Sequence, residues 1–387
     1  MASDGQAETP KAASDLRSAG LNLEAVYTAV VTRTPEENDR IPAIGCRHPR
    51  RTMPGMSAPP YASLTPDRVL DAIEGVGLQS DGRLLALNSY ENRVYQIGIH
   101  DGPAVAVPHV VAKFYRPGRW SDEAILEEHA FVAELVGHEI PVVAPLALDG
   151  DQTLYAHQGF RFSVYPKHGG RVPELGDLNT LKWMGRFIGR IHAVGAVRPF
   201  RHRPTLDIAS FGEAPRDFLL GGDWVPPDLV PAYRSVVEQA ILAVRRCFAR
   251  AGGVGTLRLH GDCYAGNVLW TPDGPHFVDF DDSRMGPAVQ DLWMLLSGDR
   301  AAMSGQLAAV LAGYADFNAF DTRELYLVEA LRTLRLIHYS AWIARRWDDP
   351  AFPAAFPWFD TPRYWQDRIL ELREQVALMD EPPLGPA

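Results

Sequence analysis

The part of this 387-residue chain that most constrains its fold is the segment Leu257 to Asp282, LRLHGDCYAGNVLWTPDGPHFVDFDD, the densest polar cluster in the sequence. Leu257 to Leu259 reads as a short strand and His260-Gly261-Asp262 as a loop, with Asn267 five residues after Asp262. Val268 to Trp270 reads as a second strand, Thr271 to Gly274 as a turn, and Phe277-Val278-Asp279 as the strand that returns from it. Such a hairpin carries Asp262 and Asn267 at one mouth and brings Asp279 back beside them.

Sheet signals precede this segment and helix signals surround it. Thr65-Pro66 predicts a helix start, a capping residue followed by proline at the first position, running through Val69, Leu70 and Ile73 to a stop near Gly75–Gly77. Strand-like stretches follow at Arg93–Ile99 and His109–Tyr115, joined by a turn at Asp101-Gly102-Pro103. A helix is expected from Ser121-Asp122 through Leu135, then strand-like pieces at Val142–Leu148, Leu154–His157 and Phe160–Tyr165. After Pro166 helices are expected near 177–194, 228–251, 303–318, 321–347 and 363–379.

The implied class is α+β and two-lobed: a small β-rich N-lobe over residues 61–166, a connecting segment near 163–170, and a larger, mainly helical C-lobe over 167–387. Residues 1–60 have a weak helical patch, Leu21 to Val31, and a Pro/Arg/Gly-rich run. They read as a disordered extension, with translation starting at Met56 as a second possibility.

The chain has 38 Lys plus Arg against 48 Asp plus Glu, a formal net charge of −10, which argues against nucleic acid or an anionic membrane as the main partner. A phosphate-bearing ligand then needs a local basic site or a bound cation. Cys46, Cys247 and Cys263 lie far apart and lack metal-ligand spacing. No apolar run reaches the roughly 18 residues of a membrane span, and the N-terminus lacks secretory character. A cytoplasmic monomer is the expectation.

The polar residues of the hairpin suit phosphoryl transfer from ATP. Hard cations such as Mg²⁺ prefer oxygen ligands, which a carboxylate (Asp279) and an amide oxygen (Asn267) provide. A second carboxylate, Asp262, would orient the acceptor hydroxyl and take its proton. An Asp, an Asn five residues on, and a metal-binding Asp after a hairpin is the spacing of a kinase catalytic loop, with HGD and DFD in place of HRD and DFG. Lys113, on the apolar strand VVAKFY, suits contact with the α/β-phosphates. Its expected partner is Glu128, with Glu127 as the alternative, because neighbouring helical positions point about 100° apart. No G-x-G-x-x-G occurs; Ser89-Tyr90-Glu91-Asn92 takes the phosphate-covering position.

The HGDxxxxN…VDFDD pattern resembles the aminoglycoside phosphotransferase/choline kinase superfamily. The strings LNSYENRVY, VAKFYRPGRW, LHGDCYAGNVLW, FVDFDDSRMGPAVQDLWMLLSGD and DPAFPAAFPW resemble its bacterial Ser/Thr protein kinases over about Leu64 to Leu384. The resemblance implies Asp262 as proton acceptor, Asn267 and Asp279 as Mg²⁺ ligands, Ser89 at the ATP site, and protein substrates, the chain itself among them, in a bacterial stress response. The alternative is a small-molecule kinase acting on an amino alcohol, sugar or aminoglycoside. A non-catalytic nucleotide-binding scaffold is disfavoured, since Lys113 and all three polar positions are present.

The remaining readings are structural. His260 braces the loop, Cys263 fills space, and Asp291 supports the loop backbone. Asp281 and Asp282 read as solvated turn residues, with contact to a second metal as the alternative, and Phe162–Pro166 as either the hinge that holds adenine or a plain strand end. Arg332, Arg335, Arg345 and Arg346 mark a possible substrate or phosphate-binding face on an otherwise core-forming helix.

Overall fold

The computed structural model describes residues 59–100 and 108–385; the extension up to residue 58, with Cys46 and Met56, and the turn at Asp101-Gly102-Pro103 lie outside the described residues. The first helix, α1 (Pro66–Glu74), is capped by Thr65, whose hydroxyl accepts from the Arg68 N–H at 3.4 Å. It buries Val69, Ala72 and Ile73 in the core of the sheet that follows.

That sheet has five antiparallel strands: β1 (Ser80–Leu87), β2 (Arg93–Ile99), β3 (His109–Phe114), β4 (Tyr155–His157) and β5 (Phe160–Pro166), in the order β1-β2-β3-β5-β4. Strand alternation decides its two faces. Val110, Ala112 and Phe114 of β3 enter the core with Ile97, Phe162 and Val164. Lys113, between them in sequence, projects from the opposite face, opposite Val94 on β2 and Ser163 on β5. Helix α2 (Asp122–Gly137), capped by Ser121, follows β3.

Two sequence expectations differ here. The sequence does not predict strand β1, because its pattern lacks alternation: it lies at the sheet edge, with Leu85 57% exposed. The expected strand Val142–Leu148 is instead a connector. Prolines 141 and 145 cannot donate to a ladder, and the segment makes isolated contacts instead: a bridge from Val142 to Phe277, a bond from the Leu146 N–H to the Val164 carbonyl at 2.7 Å and one from the Leu148 N–H to the Gln152 carbonyl at 3.4 Å.

The second lobe is built from α3 (Leu178–Gly195), α4 (Ala214–Gly221), α5 (Val230–Ala251), α6 (Gln290–Trp293), α7 (Arg300–Tyr314), α8 (Val328–Ala344), α9 (Ala351–Ala355) and α10 (Pro362–Leu378). The expected helix over 321–347 opens with a 3₁₀ stretch, Thr322–Leu327, and α4, α6 and α9 were too short to show a period.

Helices α3 and α7 approach so closely that glycine is required. A Cβ on Gly313 would overlap the Lys182 carbonyl oxygen, and one on Gly185 the Val310 carbonyl oxygen. Gly313→Ala gains about 1 kcal/mol of helix propensity but forces two backbones apart, at about 1–3 kcal/mol or more. The expected result is a lower midpoint in urea; an unchanged or higher midpoint contradicts this packing.

Strand β6 (Leu257–Leu259) pairs with β9 (Arg284–Gly286), and β7 (Val268–Thr271) with β8 (Gly274–Phe277). The returning strand therefore ends two residues earlier than expected. Asp279 lies beyond it in left-handed backbone, φ 60° and ψ 61°, which a non-glycine residue rarely adopts.

Candidate active site

The loop between β6 and β7 is held from below by one buried carboxylate. Asp291 accepts from the backbone N–H groups of His260 at 2.8 Å and Gly261 at 2.9 Å, and its Oδ2 lies 3.0 Å from His192 Nε2. Burial would raise its pKa, but His192, His260 and these bonds hold it below the ordinary carboxylate value. Gly261 has φ +85°, and a Cβ there would run into the Asp282 carbonyl oxygen, so the loop needs glycine at this point. His260 braces the loop: Nε2 donates to the Val278 carbonyl at 2.9 Å, leaving Nδ1 to accept from the Asp262 N–H at 3.4 Å. Cys263 is a buried free thiol whose pKa burial raises well above its ordinary value, consistent with filling space.

The loop presents Asp262 with both carboxylate oxygens engaged. Oδ2 accepts from Asn267 Nδ2 at 3.2 Å, and Oδ1 pairs with the Arg335 guanidinium of α8 at 2.8 Å. Asn267 is fixed three times more: its Nδ2 donates to the Asp262 carbonyl at 3.0 Å, its N–H donates to the Tyr264 carbonyl at 3.0 Å, and its own carbonyl accepts from the Val278 N–H at 3.0 Å. The last bond sets the residue before Asp279 against Asn267, so the hairpin joins all three polar residues. From the sheet, Lys113 Nζ reaches Asp279 Oδ1 at 3.0 Å and Asp281 Oδ1 at 3.3 Å. Burial disfavours the Lys113 charge, but Asp279, Asp281 and Glu128 outweigh it and hold its pKa well above the ordinary lysine value.

The two helix glutamates face different ways. Glu127 accepts three backbone N–H groups, from Arg201, His202 and Arg203, at 2.6, 2.7 and 3.0 Å. Glu128 is buried on the Lys113 side, close enough to act on its charge, yet Lys113 forms its ion pairs with Asp279 and Asp281 among the described residues.

Burial pushes the Glu128 carboxyl from 4.5 up to about 7, with Lys113 and Arg203 opposing. Between these two values the folded chain binds a proton that the unfolded chain has released, so this group makes stability fall as pH rises across that window. Glu128→Gln should flatten the dependence of melting temperature on pH between 5 and 8; an unaltered profile contradicts the assignment.

Asp281 and Asp282, expected as solvated turn residues, are instead ion-paired. Arg119, from the string VAKFYRPGRW, pairs with Asp281 and, at 2.9 Å, with Asp282; Arg284 also pairs with Asp282 at 2.6 Å. Asn92 donates to Asp281 at 3.1 Å. Burial would raise both carboxyls, but Arg119 and the other cations hold Asp281 at about 2 and Asp282 lower still. Asp281 is buried and Asp282 partly exposed, and a charge as deep as that of Asp281 persists because several partners share it.

The turn containing Ser89 is tied to the helical lobe by its neighbours. Glu91 accepts from Trp342 Nε1 at 2.6 Å and pairs with Arg346 at 2.6 Å, while Arg93 and Arg116 both pair with buried Asp349 at 2.9 Å. Ser89 itself is half-buried in that turn. Asp279, by contrast, leaves 54% of its side chain exposed although its partner Lys113 is buried. Three oxygen-bearing groups and a buried cation thus meet where the sheet lobe adjoins the hairpin. This arrangement can bind a phosphate-bearing ligand and offer a carboxylate to an acceptor hydroxyl.

The profile of the phosphotransferase enzyme family matches residues 83–328, and the chain belongs to that family. It is 45% identical over 324 residues to stress response kinase A of Salmonella choleraesuis and to serine/threonine protein kinase RdoA of Salmonella typhimurium, covering 84% of this chain and 96% of each relative. Stress response kinase A of Escherichia coli K12 is 45% identical over 328 residues, 85% of this chain and 97% of that one.

Among solved structures, an amicoumacin kinase in complex with AMP-PNP, Ca²⁺ and Ami matches with a TM-score of 0.63 at 17% identity, over 83% of this chain and 95% of that one. A microcompartment-associated aminopropanol kinase matches with a TM-score of 0.54 at 20% identity, over 75% and 94%. Both likenesses establish the two-lobed fold expected from the sequence. No helix among the described residues is long and apolar enough to cross a membrane.

Proposed function

We propose that this chain is an ATP- and Mg²⁺-dependent Ser/Thr protein kinase acting in a bacterial stress response. The observation that carries the reading is the meeting of Asp262, Asn267, Asp279 and Lys113 at one site. The names of relatives at 45% identity support a protein acceptor and the stress-response role.

In this reading the acceptor hydroxyl gives its proton to Asp262 as its oxygen attacks the γ-phosphorus. The bond from that phosphorus to the β–γ bridging oxygen breaks, and ADP leaves. Asn267 keeps the Asp262 carboxylate aimed. Lys113 supplies positive charge to the nucleotide phosphates, exchanging part of its pairing with Asp279 for them. The Ser89 hydroxyl and its turn cover those phosphates, and Glu128 backs Lys113.

The donor set fits Mg²⁺: Asp279 is half-exposed, and Asn267 uses its amide nitrogen on Asp262, leaving its oxygen for a metal. No group of three or more His, Cys, Asp or Glu gathers for a metal among the described residues, so phosphate and water oxygens would complete the shell. When bound, the ion neutralises charge on the phosphate oxygens.

Incubation of γ-labelled ATP with a bacterial lysate tests this reading. Wild type should label protein Ser or Thr, and Asp262→Ala should not. Label confined to a small metabolite would instead indicate a small-molecule kinase.

A further inference from the structure

One face of α8 runs along the site. Arg335, His338, Trp342 and Arg345 recur at helical spacing, from the ion pair with Asp262 to the turn holding Glu91. The charged side chains of this face are the arginines Arg335 and Arg345. The Arg335 guanidinium sits 2.8 Å from Asp262 and remains 30% exposed, so it is reachable by whatever reaches the base. Arg345 lies over the Phe218 ring at 4.9 Å and forms no ion pair among the described residues.

Arg284 lies over Phe211 at 4.8 Å, and its charge is felt at Asp262. His338 stacks on the same Phe211 ring at 4.2 Å. The groups acting on His338 are Arg284, Asp282, Arg345 and Arg335: three arginines and one carboxylate, the latter already paired with Arg119 and Arg284. Burial first, then Arg284, lowers the His338 pKa to about 3, so the imidazole adds no charge near neutral pH.

A site that receives a cationic acceptor, such as an amino alcohol or an aminoglycoside, needs carboxylates around the base. Here the base is flanked by arginines, and a cation approaching it meets like charge. We propose that Arg335 and Arg345 select an acceptor hydroxyl set in an acidic stretch of polypeptide, with Arg335 released from Asp262 by the acceptor's own carboxylate. This rests on the protein-kinase reading and adds the acceptor class. Arg335 is a positioning and specificity residue: it holds Asp262 in the resting site and gives up that carboxylate only to a competing anion. A planar guanidinium can change partners in this way because it presents several donors in fixed geometry.

The test uses the full chain with MgATP and two Ser-containing peptides of equal length, one flanked by Glu and one by Lys. Wild type is expected to favour the Glu peptide by about tenfold or more in kcat/KM, the scale of one or two partly screened ion pairs. Arg335→Gln should abolish most of that preference by raising the KM for the Glu peptide, with the KM for ATP unchanged, and Arg335→Lys should restore part of it. Arg345→Gln, on an exposed side chain, should reduce the preference without endangering the fold. Equal use of both peptides, or preference for the Lys peptide, overturns the acceptor class and leaves the protein-kinase reading intact. Labelling of a small amine, with neither peptide nor any lysate protein modified, overturns that reading and this inference together.

Discussion

Replacing Asp262 with alanine is expected to lower kcat for phosphoryl transfer by about 10²–10⁴-fold, the typical contribution of a positioned proton acceptor. The KM for ATP should change little, because Asp262 contacts Asn267 and Arg335 and would face the acceptor hydroxyl. Asp262→Asn should lose about as much rate, since an amide preserves the shape but cannot take the proton. Steady-state kinetics of both variants, with melting temperature as a control on folding, check this. Near-wild-type turnover in either variant contradicts the role given to Asp262.

Asp291→Ala is expected to be the most destabilising of the single changes considered, although Asp291 touches no reacting atom. Its carboxylate is the acceptor for two buried backbone N–H groups and lies against His192. Alanine would leave those donors unsatisfied, and breaking a buried pair of this kind costs about 3–5 kcal/mol. For a chain of this length the melting temperature should fall by on the order of 10 °C. Activity per folded molecule should also drop, because His260 and Gly261 set the direction in which Asp262 leaves the loop. A melting temperature within a degree or two of wild type contradicts this account of the loop.

The site was legible wherever chemistry demands local spacing. Asp262, Asn267 and Asp279 fall within one hairpin, so their convergence needs only a loop and a turn, both readable from residue type. Lys113 stood out as a charge in the otherwise apolar run Val110 to Tyr115. What the sequence hid depends on tertiary contact. Asp281 and Asp282 look like exposed turn residues until Arg119 arrives from 162 and 163 positions away. The pair Arg93 and Asp349 spans 256 positions. Arg335 stood out only as one of four arginines on a core-forming helix, and its contact with Asp262 depends on how α8 crosses the loop. The edge strand β1 was hidden for a different reason: the exposed leucines along much of its length carry no burial pattern.

The central claim is that Asp279 and Asn267 hold a magnesium–nucleotide complex against Lys113. Calorimetric titration of a non-hydrolysable ATP analogue, with Mg²⁺ and with EDTA, tests it most directly in wild type and Asp279→Asn. The account predicts that Mg²⁺ tightens binding in wild type and has little effect in the variant. Equal tightening by Mg²⁺ in both proteins would contradict it.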